Sequence, residues 1–358
     1  MQGGSASPRP SSLSLRPGVG DALSSWRLTI ITHTDLDGVG AAAAYLRLGG
    51  FVMGVDARVF FTEPYNLHRV LEQEARDPGE RIAVMDLGPN AATMDVLKGL
   101  VEKIASQGAR IEWYDHHRWE PGWLEELGSA GARLHVDTST CATGVVAKYA
   151  PIELGVSDDP FVEELARAVC AADLWRWDHP LAPRLYRVAE RFHGSRGDEW
   201  RRRMMKGFVE GSLWWPELDE ALHEYLRREF EGFSYSLRHL MVFEAKGCKV
   251  VVALRRPGPP SPSIIGNSLL SRLGADVVGI VKSNGNGISL RSLGVDVRRI
   301  AVAMGGGGHP RAAGAPLNMN LLWRILSKLY PRLKLRYASR RLREAIEGLG
   351  GCPELGDT

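Results

Sequence analysis

Three short apolar runs, each ending in acidic residues, constrain this chain more than any other feature. WRLTIIT (26–32) leads into His33-Thr34-Asp35-Leu36-Asp37-Gly38, RIAVM (81–85) into Asp86, and RIEWY (110–114) into Asp115-His116-His117. Short apolar runs of this kind read as strands buried on both faces, the pattern of a parallel sheet. Side chains at the C-terminal ends of neighbouring parallel strands converge in one crevice. Carboxylate oxygens and imidazole nitrogens gathered there suit a hard-to-borderline divalent cation. Four carboxylates are too many for one ion and fit a pair that shares a bridging ligand.

From 27 to about 150 the apolar runs alternate with helical patterns such as GAAAAYLRL, NLHRVLEQEA, AATMDVLKGLVEKIA and CATGVVAKYA, as expected of a sheet with helices on both faces. VMGVDARVFF and RLHVD supply two further strands. Residues 157–244 carry helical spacing and no convincing strand, ending in one long helix, PELDEALHEYLRREFEGFSYSLRHLM. A second alternating unit begins at Cys248: strand KVVVAL, helix PSIIGNSLLSRL, strands DVVGIVK and GISLRS, helix DVRRIAVAM, the run GGGGHPRAAG, and a basic amphipathic helix over 319–346. The predicted fold class is therefore α/β. A flexible arm (1–25) precedes a parallel-sheet domain (26–180), a helical connector (181–246) and a smaller α/β domain with a terminal helix (247–358), with the active site in the groove between the domains.

Length and composition agree with this reading. The 358 residues suffice for two cores, and 44% hydrophobic with 24% charged residues is the balance of a soluble globular protein. No run reaches the ~20 apolar residues that span a bilayer. The arm MQGGSASPRPSSLSLRPGVG lacks an apolar signal core, so a cytoplasmic location is expected. Cys141, Cys170, Cys248 and Cys352 form no CxxC pair, and neither a zinc site nor a disulfide framework is expected. A net charge of +3 does not announce a binder of long nucleic acids. Arg outnumbers Lys by 36 to 9; its planar fork suits phosphate, although compositional bias or adaptation to heat explains the excess equally well.

HTDLDG, Asp86, Asp115-His116-His117, Asp173 in AADLWRW, and GISLRS followed by GGGGHPRAAG stand in the order that resembles the DHH phosphoesterase superfamily with its DHH-associated C-terminal domain. HTDLDGVG, STCATG (139–144) and DLWRWD (173–178) are most similar to the branch of nanoRNases and cyclic-nucleotide phosphodiesterases. In many members the first histidine stands four residues before the first aspartate of the pair. Here Ile31 occupies that position and His33 stands two before Asp35. Alternate residues of a strand share a face, so His33, Asp35 and Asp37 all reach the crevice if the strand stays extended.

The resemblance implies a two-metal centre, manganese first, with magnesium or cobalt as alternatives. His33 and Asp35 would hold one ion, Asp37, His116 and Asp173 the other, and Asp86 would bridge. Two ions ~3.5–4 Å apart activate water and neutralise charge on a phosphoryl group. Asp115 would orient a histidine, and His117 would serve the scissile phosphate as hydrogen-bond donor or acid. Arg291, Gly306, Gly307, Gly308, His309 and Arg311 would clamp a phosphate or nucleotide end through backbone N–H groups and side-chain donors. Ser139, Thr140 and Thr143 could approach the site or simply cap the helix that follows. The remaining histidines, among them His68, His135, His179, His193, His223 and His239, carry no such context.

The function expected on these grounds is hydrolysis of short RNA, or of linear dinucleotides derived from cyclic ones, to nucleoside 5′-monophosphates. A RecJ-like exonuclease on single-stranded DNA is the rival enzyme, and a non-catalytic replication scaffold the rival of another class. Expected partners are the short RNA or dinucleotide substrate and a second copy of the chain as a homodimer, with no membrane.

Overall fold

The structure is a computed structural model and describes residues 26–191, 194–319 and 330–355. The expected N-terminal arm, His193 and residues 320–329 of the expected terminal helix lie outside the described residues. The chain divides into two compact units, Met1–Trp214 and Trp215–Thr358. The cut falls inside the segment expected as a connector. No helix among the described residues is long and apolar enough to cross a membrane.

The first unit follows the alternation legible in the sequence: β1 (Leu28–Thr32), α1 (Leu36–Gly49), β2 (Ala57–Phe61), α2 (Leu67–Glu74), β3 (Arg81–Met85), α3 (Met94–Ser106), β4 (Arg110–Asp115), α4 (Trp123–Ser129), β5 (Ala132–Val136), α5 (Ala142–Leu154), α6 (Pro160–Asp173), α7 (Ala182–Ala189) and α8 (Gly194–Val209). The five strands form an all-parallel sheet in the order β2-β1-β3-β4-β5. Leu67 and Leu71 of α2, Leu97, Val101 and Ile104 of α3 and Leu127 of α4 pack with Ile31, Ile82, Val84, Ile111 and Trp113 on one face. Helices α5, α6 and α8 pack around α1, whose face of Ala41, Ala42, Ala43 and Ala44 is wholly buried. Burial on both faces explains why the strands are runs of apolar residues rather than alternations.

Strand order reverses direction between β1 and β3. Open α/β sheets bind ligands at the C-terminal edge of such a switch point. His33 and Asp35 follow β1, Asp86 follows β3, and Asp115 closes β4 at that same edge.

The second unit begins with α9 (Pro216–Arg238) and continues through β6 (Leu240–Ala245), β7 (Cys248–Leu254), α10 (Pro262–Leu273), β8 (Val277–Val281), β9 (Gly287–Arg291), α11 (Val297–Ala303), β10 (Gly307–His309), β11 (Ala312–Pro316) and a C-terminal helix, Pro331–Gly348. Its six strands run in the order β10-β11-β9-β8-β7-β6, parallel only between β7 and β8. Helix α10 covers one face, through Ile265 and Leu269. Val297 and Ile300 of α11 and Leu335, Leu342 and Ile346 of the C-terminal helix cover the other.

Three expectations change. Leu240–Ala245 is a strand in a stretch where none was expected, and it takes Leu240 and Met241 from the predicted helix: Lys246 and Gly247 both adopt positive φ, the geometry of a two-residue hairpin turn, and pair it antiparallel with β7. The glycine run, for which the sequence reading gave no strand, enters a short hairpin, β10–β11. All four cysteines are paired, Cys141 with Cys170 and Cys248 with Cys352, at Cα separations of 5.1 and 5.6 Å. Partners 29 and 104 residues apart leave no spacing signature, because the fold alone makes them neighbours.

Candidate metal centre and glycine hairpin

The chain leaves the sheet after Thr32 rather than staying extended, which changes how His33, Asp35 and Asp37 come together. Asp35 is the N-cap of α1 and accepts from the Gly38 N–H at 3.1 Å. Asp37 lies in the first helical turn. Gly38 is required here, because a Cβ would run into the His33 carbonyl. Two rotations of backbone, not a shared strand face, therefore aim the three side chains into one place.

Asp37 is buried and gripped by the start of α5. Its carboxylate accepts the Ala142 N–H at 2.7 Å, the Thr143 N–H at 2.8 Å and the Thr143 hydroxyl at 2.7 Å. A helix N-terminus offers unpaired N–H groups and a favourable dipole for an anion. Of the three hydroxyls weighed in STCATG, Thr143 is the one that does this.

Asp86 is 2% exposed and sits at φ 56°, in the left-handed region. Non-glycine residues rarely adopt it, aspartate being one of the more tolerant, and such strain gathers at functional sites. The Asp86 N–H donates to the Tyr114 carbonyl at 2.9 Å, so β4 holds the strained turn in place. Its side chain meets His33 Nδ1 through Oδ2 (3.4 Å) and His116 Nε2 through Oδ1 (3.4 Å). Oδ2 is buried without a hydrogen bond.

The other groups close around it. His33 Nδ1 lies 2.9 Å from Asp35 Oδ2, while His116 Nε2 lies 3.6 Å from Asp173 Oδ2 and 3.8 Å from Asp37 Oδ2. Asp173 is the last residue of α6. The possible donors form three overlapping sets, His33-Asp35-Asp86, Asp37-His116-Asp173 and Asp86-His116-His117, each with its ligand atoms within 4.8 Å of one another. Asp86 belongs to two of them.

Electrostatics points the same way. Burial first, then repulsion by Asp35 and Asp37, drives the Asp86 carboxyl well above the usual carboxylate range. Burial and repulsion from Asp35 also raise Asp37 against the pull of His116. Burial and the neighbouring aspartates push Asp173 up to about 8. Around His33 burial favours the neutral ring, but the charge and hydrogen bond of Asp35, with the nearby Asp86 and Glu63, outweigh it and raise the pKa; the same pairing outweighs burial at Asp35 and lowers it. Four crowded carboxylates and one unpartnered buried oxygen are a donor set short of positive charge, and a divalent cation fits it.

Asp115 stands behind the centre, fully buried at the end of β4. Its Oδ1 takes a 2.7 Å contact from His117 Nδ1, and its Oδ2 accepts the Trp119 indole N–H at 2.6 Å. Asp115 is thereby lowered and His117 raised, each against the opposing effect of burial. With Nδ1 held, His117 keeps Nε2 for other work, and its side chain is 40% exposed.

Sequence reasoning missed Glu63, which bonds His33 Nε2 at 3.3 Å and accepts from the Thr34 hydroxyl at 2.7 Å. The signal existed: FFTEP is another apolar run ending in an acid. Arg201 of α8, which donates to the Thr34 carbonyl, gave none.

In the second unit, Arg291, Ala312 and His309 share one rung across β9, β11 and β10. Directly opposed residues project to the same face, so the arginine and the histidine flank a small alanine. The Arg291 guanidinium donates to the Ser263 hydroxyl at 2.9 and 3.2 Å and to the Leu290 carbonyl at 2.8 Å. Gly306 and Gly308 are glycines because a Cβ would strike the β11 backbone. Gly307 has open space around its missing Cβ. His309 and Arg311 are exposed.

Residues 258–333 match the DHHA1 domain. Over 308 residues, 80% of this chain and 72% of the relative, the sequence is 25% identical to oligoribonuclease NrnB of Bacillus subtilis (strain 168). The fold is similar to that of exonuclease RecJ in a crystal structure bound to manganese (TM-score 0.52, 17% identity, 88% of this chain and 91% of that one). It is also similar to the DHH domain of a protein described as belonging to a family of ribosomal proteins (TM-score 0.56, 14% identity, 89% of this chain and 87% of that one).

Proposed function

We propose that this chain, a member of the DHH phosphoesterase superfamily in its nanoRNase-like branch, is a divalent-metal phosphodiesterase that cleaves very short RNA to nucleoside 5′-monophosphates. The observation that carries the reading is the cluster around Asp86: one strained, buried carboxylate common to two donor sets, with an oxygen that no protein group satisfies. The likeness to an oligoribonuclease supports the short substrate.

His33 and Asp35 would hold one ion, Asp37, His116 and Asp173 the second, and Asp86 both; manganese is the first expectation. Bound there, the ions would activate water at neutral pH and neutralise charge on the phosphoryl oxygens. The chain supplies the rest. The N-terminus of α5 fixes Asp37 in one orientation, and Asp115 fixes His117 with a proton on Nδ1. His117, charged and so protonated at Nε2 as well, would then donate from Nε2 to the scissile phosphate, hand that proton to the leaving oxygen and return to the neutral ring. Arg291, His309, Arg311 and the open backbone at Gly307 would hold a nucleotide end.

A ladder of labelled RNA and DNA from dimers to ~20-mers, with cyclic dinucleotides alongside, tests this. RNA dimers to tetramers should turn over fastest, lose turnover with chelator, and depend weakly on salt because few phosphates are contacted. A rate that rises with length and collapses in moderate salt would instead favour a RecJ-like exonuclease.

A further inference from the structure

Beside the acidic cluster lies a pocket whose other wall is aromatic. Asp35, Asp37, Asp173 and Glu190 line it together with Trp175, Tyr186 and Ala189, enclosing about 60 Å³. That is room for a few waters and too little for a whole nucleotide. Trp175, Trp177 and Tyr186 form a mutual edge-to-face cluster, with centroids 4.9, 5.7 and 5.9 Å apart.

The backbone that presents these rings works against its own preference. Trp175 and Trp177 both adopt left-handed φ, 57° and 58°, a genuine outlier for so bulky a residue. The turn is pinned by N–H groups of Trp175, Arg176 and Trp177 donating to the carbonyls of Ala172 and Ala171 at the end of α6. Rings placed only to fill a core would be buried, yet all three are half-buried, and Trp175 and Tyr186 line the pocket. Strain maintained at a partly exposed aromatic cluster, two residues from Asp173, calls for a ligand with a planar face.

We propose that Trp175 and Tyr186 form a nucleobase subsite, in which the base of the nucleotide next to the scissile phosphate lays its face against an aromatic ring while its phosphate meets the cations that the carboxylates would hold. The proposal rests on the phosphodiesterase reading above and adds the substrate group that this wall recognises. Every base has a π-face, so the subsite tolerates any sequence.

The test compares a dinucleotide with an analogue lacking the base at one nucleotide. Trp175→Ala should reduce the ratio of kcat/KM for the dinucleotide over the abasic analogue by about 10- to 100-fold, the usual effect of losing one base–aromatic stack. Trp175→Phe, which keeps a π-face, should restore most of it. If Trp175→Ala melts early, Trp175→Leu fills the volume without a π-face and carries the same comparison. An unchanged ratio overturns the proposal. Binding is read separately, as tryptophan fluorescence quenched by a nucleoside monophosphate but not by ribose 5-phosphate, the quenching being lost in Trp175→Leu. Equal responses to the two ligands overturn the subsite even if the protein cleaves RNA. A protein that cleaves no phosphodiester refutes the catalytic reading, and the fluorescence comparison then decides the subsite alone.

Discussion

The acidic centre of the first unit and the glycine hairpin of the second are built on opposite plans. The centre gathers side chains from after β1, β3 and β4 and from the ends of α1 and α6, with Asp37 and Asp86 at its heart buried and locked by neighbours such as Thr143 and Tyr114. The hairpin is three residues of edge strand whose His309 and Gly307 are exposed. A group of like charges needs a stiff, low-dielectric frame to stay together until a cation arrives. A surface that receives a ligand end needs open space and donors that can adjust. The difference teaches that substitutions in the centre should act on chemistry, and those in the hairpin on binding.

The largest expected effect lies in the centre. Asp86→Asn keeps the left-handed turn but removes the shared charge, and should lower kcat by about 10³-fold with the fold intact by circular dichroism. Full activity in manganese buffer would break the contrast at its root. Next, Asp115→Asn should lower activity or metal affinity by about 10–100-fold by releasing His117, read as a paired loss in metal titration and single-turnover rate.

Two hairpin substitutions sharpen the other side. Gly307→Val meets no protein atom, so it should leave melting and bound manganese unchanged while raising KM for dinucleotides; Gly306→Val, which collides with β11, should instead lower the melting temperature. Arg291→Lys loses the fork held on Ser263 and should raise KM in turn. Normal kinetics in both Gly307→Val and Arg291→Lys would make the hairpin a structural turn.

The smallest effect is a pH dependence confined to the centre. The Asp173 carboxyl, at about 8 when folded against an ordinary 3.8, binds its proton more tightly in the folded state. Its contribution is therefore fully present below about 4 and lost as pH rises to about 8. Asp86 and Asp37 shift in the same direction. Melting of chelator-treated protein should fall across that window, and saturating manganese should remove the slope.

Much of the first unit was legible because burial on both faces writes a strand as an apolar run, and a carboxylate just after it has nowhere to point but the crevice. Helix α4 and the clamp on Asp37 were not legible: the donors are backbone N–H groups of Ala142 and Thr143, more than a hundred residues from their acceptor. In the second unit β7, α10, β8, β9 and α11 lie where the sequence placed them, and pairing hid β6, β10 and β11. LMVFEA carries residues compatible with helix, and only the Lys246-Gly247 turn against β7 makes it a strand. The glycine run announced backbone freedom without saying that two of its glycines serve the neighbouring strand rather than a ligand.

Asp86 also limits how this protein can change over generations. Its backbone angle admits chiefly glycine, asparagine and aspartate, and aspartate alone among them carries charge. A glutamate, chemically the obvious substitute ligand, meets the conformational penalty that aspartate largely escapes. On the proposed reading, replacement by asparagine or glycine should silence the centre and leave the sheet undisturbed. If the proposed activity holds, a folded protein with the same surfaces and no hydrolysis lies a single mutation away, and the return requires that same position.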